Sequence, residues 1–169
     1  MTAFTAAIQR TPSFLAFDGT SSGASIYASI VPSQYRELVF KFLGSATGNQ
    51  RIAEPSHAIY EVYHRCRINN WNEDGADPIT EDAALRADRL LPTLPSYLPV
   101  PDIYADAAGA IVFEWYRRPR HRFAISIFWG GTIEYAGLLG PGNEVYGTAR
   151  HSEGLPEIVS DHLRQLFAD

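Results

Sequence analysis

Residues 91–101 read LPTLPSYLPVP, with four prolines in eleven positions. Proline has no amide N–H to give to a helix or a sheet ladder, and its ring fixes φ. Such density rules out a helix interior or a central strand, so this stretch is expected to be an extended connector. It also divides the chain by hydrophobic period.

After the connector the period is two. In IVFEWY (111–116), Ile111, Phe113 and Trp115 alternate with Val112, Glu114 and Tyr116. FAISIFW (123–129) alternates likewise, with RRPRHR (117–122) as the expected hairpin between the two. Gly130-Gly131 predicts a tight turn into TIEYAGLL (132–139). GPGN then turns into EVYGTA (144–149), a fourth strand. A closing helix is expected over about 155–167, with Ile158, Val159, Leu163, Leu166 and Phe167 on its apolar side.

Before the connector the period is helical. Ser56 is read as the N-cap of a helix that begins after Pro55 and carries Ile59, Val62, Tyr63 and Cys66 on one face. A further helix is expected from about Glu81 to Leu91. Upstream, SATGNQR (45–51) reads as a loop and QYRELVFKFLG as a helix capped by Ser33; SFLAF (13–17) and SIYASIV (25–31) read as strands. Helices followed by a meander argue for an α+β fold: an antiparallel sheet of four or more strands with helices packed on one face. At 169 residues the chain is expected to form one domain, 1–169, in which 1–55 is the least legible part.

Composition limits the function classes. The net charge of −5 disfavours a nucleic-acid binder with a basic face all round. A single cysteine, Cys66, excludes an internal disulfide and a CxxC metal knuckle. The N-terminus lacks the pattern of a signal peptide, and no apolar run reaches the length of a membrane span, so a cytoplasmic protein is expected.

The densest local signal is WNEDGADPITEDAALRA, 71–87. Thr80 suits an N-cap, with Glu81 and Asp82 in the first turn, where the helix dipole favours acids. Gly75 suits a positive φ, Trp71 and Ile79 suit anchors, and Asp74 and Asp77 suit acceptors for loop N–H groups. The competing reading is a cation held by Glu73, Asp74 and Asp77, but the calcium-loop spacing is absent, so no metal site is expected. Trp71, Asn72, Gly75, Ala76, Pro78 and Ile79, followed by Leu94-Pro95, Gly109 and Phe113-Glu114-Trp115, form a pattern over about 70–165. That pattern resembles a group of small bacterial proteins to which no activity is assigned. The resemblance implies a mobile-element or toxin–antitoxin context and supplies no catalytic residue.

Three other constellations compete with plainer readings. His57, Glu61 and His64 share a helix face that suits zinc or acid–base chemistry, or simply faces solvent. Glu114 and Glu134 fall on one sheet face, as a carboxylate pair or as part of a wet surface. Arg117, Arg118, Arg120 and Arg122, with Trp115 and Trp129 assigned nearby, suit a partner-binding patch or a solvated turn. There is no nucleophile elbow, P-loop or dinucleotide fingerprint, and no cofactor is expected. The expected function is therefore a non-enzymatic protein-interaction module, an antitoxin, immunity or anti-defence component whose partner is another protein. A nucleic acid on the Arg117–Arg122 turn is the alternative partner, and no membrane is expected. The alternative function is a small metal-dependent hydrolase or nuclease using the His/Glu face.

Overall fold

The computed structural model describes residues 50–150 and 154–168. The expected strands at 13–17 and 25–31 and the helix capped by Ser33 lie outside them. Helix α1 spans Gln50–Cys66, α2 Glu81–Leu90 and α3 Glu157–Phe167. Five strands lie between α2 and α3: β1 Asp102–Ala105, β2 Ile111–Arg118, β3 His121–Ile127, β4 Thr132–Leu139 and β5 Glu144–Arg150. They form one antiparallel meander in the order β1-β2-β3-β4-β5. The α+β architecture is thus present, with β1 as an edge strand directly after the prolines.

Alternation divides the sheet. Ile111, Phe113, Trp115, Phe123, Ile125, Ile127 and Ile133 point to one face and are buried. There they join Ile59, Val62 and Cys66 of α1, Ala83, Ala84, Ala87 and Leu90 of α2, and Val159, Leu163 and Leu166 of α3 in one apolar cluster. Removing that surface from water is the main force that holds the helices to the sheet. Two close approaches shape this face. A Cβ on Gly137 would stand 2.5 Å from the Phe123 ring, and one on Gly147 would stand 2.5 Å from the Tyr135 hydroxyl. The Phe123 and Tyr135 rings lie over these bare strand positions, 6.0 Å apart, and His162 of α3 sits within 5.8 Å of both.

Helix α1 differs from the sequence expectation. Pro55 lies inside it, and residues 50 and 51 are helical rather than loop. Ser56 is not a cap. It is buried, and its hydroxyl donates to Asp88 Oδ1 of α2 at 2.5 Å. An interhelical hydrogen bond has taken the serine that local rules assign to a helix start.

The 71–79 loop is a joint between elements. Trp71 Nε1 donates to the carbonyl of Asp77 at 3.0 Å. The Asp77 N–H donates to Ala107 O at 2.8 Å, and the Ile79 N–H to Cys66 O at 2.9 Å. Asparagines, not the aspartates, accept the loop N–H groups: Asn72 Oδ1 takes those of Asp74 and Ala76, and Asn70 Oδ1 takes that of Gly75. Asparagine offers the same short acceptor as aspartate in such turns. Gly75 has φ +83°. Thr80 caps α2, its Oγ1 accepting from the Ala83 N–H at 3.2 Å.

Candidate functional site

The face of the sheet away from the helices carries no helix among the described residues. Its side chains form rows fixed by strand register. One row runs Asp102, Glu114, Ala124, Ala136, Tyr146 from β1 to β5. The row on one side is Tyr104, Val112, Ser126, Glu134, Thr148, and on the other Tyr116, Arg122, Leu138, Glu144. Small residues therefore occupy the middle of the face and long ones its margins. The result is a trough of about 420 Å³ floored by Ala124 and Ala136 and walled by Tyr104, Glu114, Arg122, Glu144 and Tyr146. It continues past Ala124, Ala136 and Tyr146 into a second hollow of about 390 Å³ bounded by Ser126, Glu134 and Thr148.

Three tyrosines stand out from this surface: Tyr104 at 41% exposed, Tyr116 at 60% and Tyr146 at 84%. The Tyr104 hydroxyl donates to Glu114 Oε2 at 2.7 Å. Partial burial and the Glu114 carboxylate, with a smaller push from Asp106, raise the Tyr104 phenol to about 12; Arg122 pulls the other way. The charges on the face are mostly acidic: Asp102, Glu114, Glu134 and Glu144 against Arg122 and Arg150.

The sequence candidates do not converge. His57 and Glu61 are solvent-exposed, with His57 Nε2 3.7 Å from Glu61 Oε1. His64 packs on Tyr60, ring centroids 4.5 Å apart. All three lie on α1, on the opposite side of the sheet from Glu114 and Glu134. Those two glutamates do share the open face. However, they are separated by two strand spacings and an offset of two residues, about 12 Å between backbones. That is too far to share a proton, and Glu114 is already the acceptor of Tyr104. Among the described residues no three of His, Cys, Asp or Glu lie close enough to hold a metal ion, and Glu73, Asp74 and Asp77 are no exception.

The arginine cluster is split by the β2–β3 hairpin. A bulge lies between Tyr116 and Arg118, and alternation continued from Ile111, Phe113 and Trp115 points Arg117 toward the helices. There its guanidinium donates to the carbonyls of Leu166 and Ala168 at 2.9 and 2.6 Å, capping α3. Arg118 lies 3.4 Å from His121 Nε2, and Arg120 sits at the tip with φ +61°. Arg122 alone faces the trough. Trp115 is 2% exposed in the core, its Nε1 donating to Pro99 O at 2.9 Å, so it has no surface to offer a partner. Trp129 is 69% exposed but belongs to the β3–β4 turn, at the other end of β3 from the arginines. Separation along a strand, which sequence proximity conceals, keeps it out of that patch.

The residues of the trough that sequence reasoning missed are Tyr104, Ala124, Ser126, Ala136 and Tyr146. A signal for them existed: Ala124, Ser126 and Ala136 are small residues at positions where a wet sheet face ordinarily carries long polar ones. The fold and site define an α+β protein in which, among the described residues, helices cover one sheet face and leave the other open. Comparison with family models, with curated proteins and with solved structures finds no match.

Proposed function

We propose that this chain is a non-enzymatic protein-interaction module and that its partner, another protein, seats on the open sheet face. The observation that carries this reading is the trough itself, a floor of Ala124 and Ala136 beneath the exposed rings of Tyr104 and Tyr146, with exposed Tyr116 elsewhere on the same face. Tyrosine offers large contact area with few rotatable bonds and a polar tip, and is enriched where proteins meet. The scatter of the polar candidates supports the same reading, because catalysis needs several groups within reach of one reacting atom. A protein partner is favoured over nucleic acid. The open face is mainly acidic, and Arg117 is committed to α3, which leaves little of a phosphate-binding cluster. The resemblance noted above suggests the role of an antitoxin, immunity or anti-defence component. Such a protein acts by occupying its partner stoichiometrically, which requires a standing surface rather than a reactive centre. As to membranes, no described helix is long and apolar enough to cross one.

The test is capture of partners from the native host by tagged wild type, by Ala136→Arg, and by Arg118→Ala/Arg120→Ala. Ala136 is exposed, so the arginine fills the trough without entering the core. A single stoichiometric partner lost only with Ala136→Arg is expected. Its retention by Ala136→Arg, with loss in the arginine pair, would move the site to the hairpin.

A further inference from the structure

The two edges of the sheet are unequal. β1 has four residues, follows Pro99 and Pro101, and has α1 packed near it. Short length, flanking prolines and a covering helix are the usual ways of blunting an edge. β5 is less protected: among the described residues no helix packs closely on it, and Pro141 lies back in the turn rather than against the strand. It is seven residues long, EVYGTAR, without proline, and no described strand pairs with its outer side.

The backbone parity of that outer side can be read from the hairpin. The Leu139 N–H donates to Asn143 O at 2.8 Å, and Leu139 and Asn143 stand opposite each other as the ladder begins. Hydrogen-bonded pairs alternate along an antiparallel ladder, so Val145, Gly147 and Ala149 bond to β4. Glu144, Tyr146, Thr148 and Arg150 therefore turn their N–H and C=O groups outward.

We infer that β5 pairs antiparallel with β5 of a second copy of this chain, about a two-fold axis at Gly147. In this register the outward residues meet each other, Glu144 opposite Arg150 of the second copy and Tyr146 opposite Thr148. Each pair is repeated by the symmetry, as a self-complementary interface requires. The opposite charges at the two ends of the strand become cross-strand ion pairs on one face. Slipping by two residues one way places Glu144 opposite Thr148 and moves Arg150 onto the turn at Gly142. Slipping the other way carries Glu144 beyond the end of the strand. Charge complementarity thus selects one register. The two Tyr146 side chains become diagonal neighbours across the axis, which gives this 84%-exposed ring a contact. Both open faces come to the same side of a doubled sheet. The pairing is independent of the partner surface proposed above, because its test contains this chain alone.

One strand edge buries less than a standard interface, so the dimer is expected to dissociate at about micromolar concentration or above. Sedimentation of the full chain over a range of concentrations would detect it. Thr148→Pro removes an outward N–H that β4 does not use, and is expected to give monomer with an unchanged circular dichroism spectrum. Glu144→Arg or Arg150→Glu alone places like charges opposite each other and should weaken association about tenfold or more. Combining Glu144→Arg with Arg150→Glu restores opposite charges and should restore the dimer. A wild type that stays monomeric throughout, or a dimer unmoved by all these variants, would overturn the inference.

Discussion

A side chain added at Gly109 would stand 3.2 Å from the carbonyl oxygen of Pro78 and 3.3 Å from Cβ of Asp77. The turn before β2 and the loop before α2 therefore meet backbone to backbone, and the Asp77 N–H to Ala107 O bond lies in the same contact. Gly109 also has φ +81°. Gly109→Ala thus combines a left-handed backbone with a crowded contact and should cost about 2 kcal/mol. Chemical denaturation would measure it. A loss of a few tenths would mean that the joint yields easily.

Two aspartates of α2 should respond to pH in opposite directions. Burial raises Asp88 above its ordinary value of 3.8, against opposing pulls from Ser56 and Arg89. The folded state then holds this proton more tightly than the unfolded one. The corresponding stability is present below pH 3.8 and is lost as pH rises through the higher folded value. Asp88→Asn keeps an acceptor for Ser56 and should abolish that loss, leaving the variant at least as stable as wild type at neutral pH. Melting temperature against pH for both proteins checks the sign.

For Asp82, partial burial raises the pKa, but Arg86, the Gly130 N–H and Arg89 together outweigh it and hold the carboxyl below 3.8. Its stability is present above pH 3.8 and is lost as pH falls through the lower folded value. Asp82→Asn should be less stable than wild type at neutral pH and converge with it in acid. The 2.8 Å bond from Gly130 N to Asp82 would weaken, so amide exchange at the β3–β4 turn should quicken.

Neighbouring arginines should behave oppositely. Arg117→Ala uncaps α3 and should cost about 1 kcal/mol, with faster exchange confined to the last turn of that helix. Arg120→Gly relieves a positive φ at the hairpin tip and should gain about 0.5 kcal/mol. Equal losses from the two would contradict the division of the cluster.

Tyr104 should ionise only at about 12, above the ordinary phenol value of 10.0. Because its folded value is raised, its contribution to stability is complete below pH 10 and is lost as pH rises toward 12. Glu114→Gln removes the carboxylate and should bring the phenol down toward its ordinary range. Phenolate absorbance during alkaline titration, with Tyr104→Phe as reference, reports it directly.

Period carried most of the architecture. The prolines of 91–101 and the switch from helical spacing to alternation are local signals, so the meander and α2 were legible, and Thr80 as a cap with them. Pro55 and Ser56 were misread because a buried hydrogen bond to Asp88, 32 positions away, outranked the local rule. The arginines form one patch in sequence, but strand alternation sends Arg117 to the helix side with Trp115 and Arg122 to the open face with its partner Tyr116. The candidate site was the least legible part. Glu114 and Glu134 were placed on one face by parity, but the trough needs Ala124 beside Ala136 and Tyr104 beside Glu114.

Which residues face inward is written in the chain, because alternation and helical periodicity follow from backbone geometry. Which residues become neighbours across strands is set by register. Register depends on turn geometry and on packing against α1, α2 and α3, long-range terms that no short stretch of sequence contains.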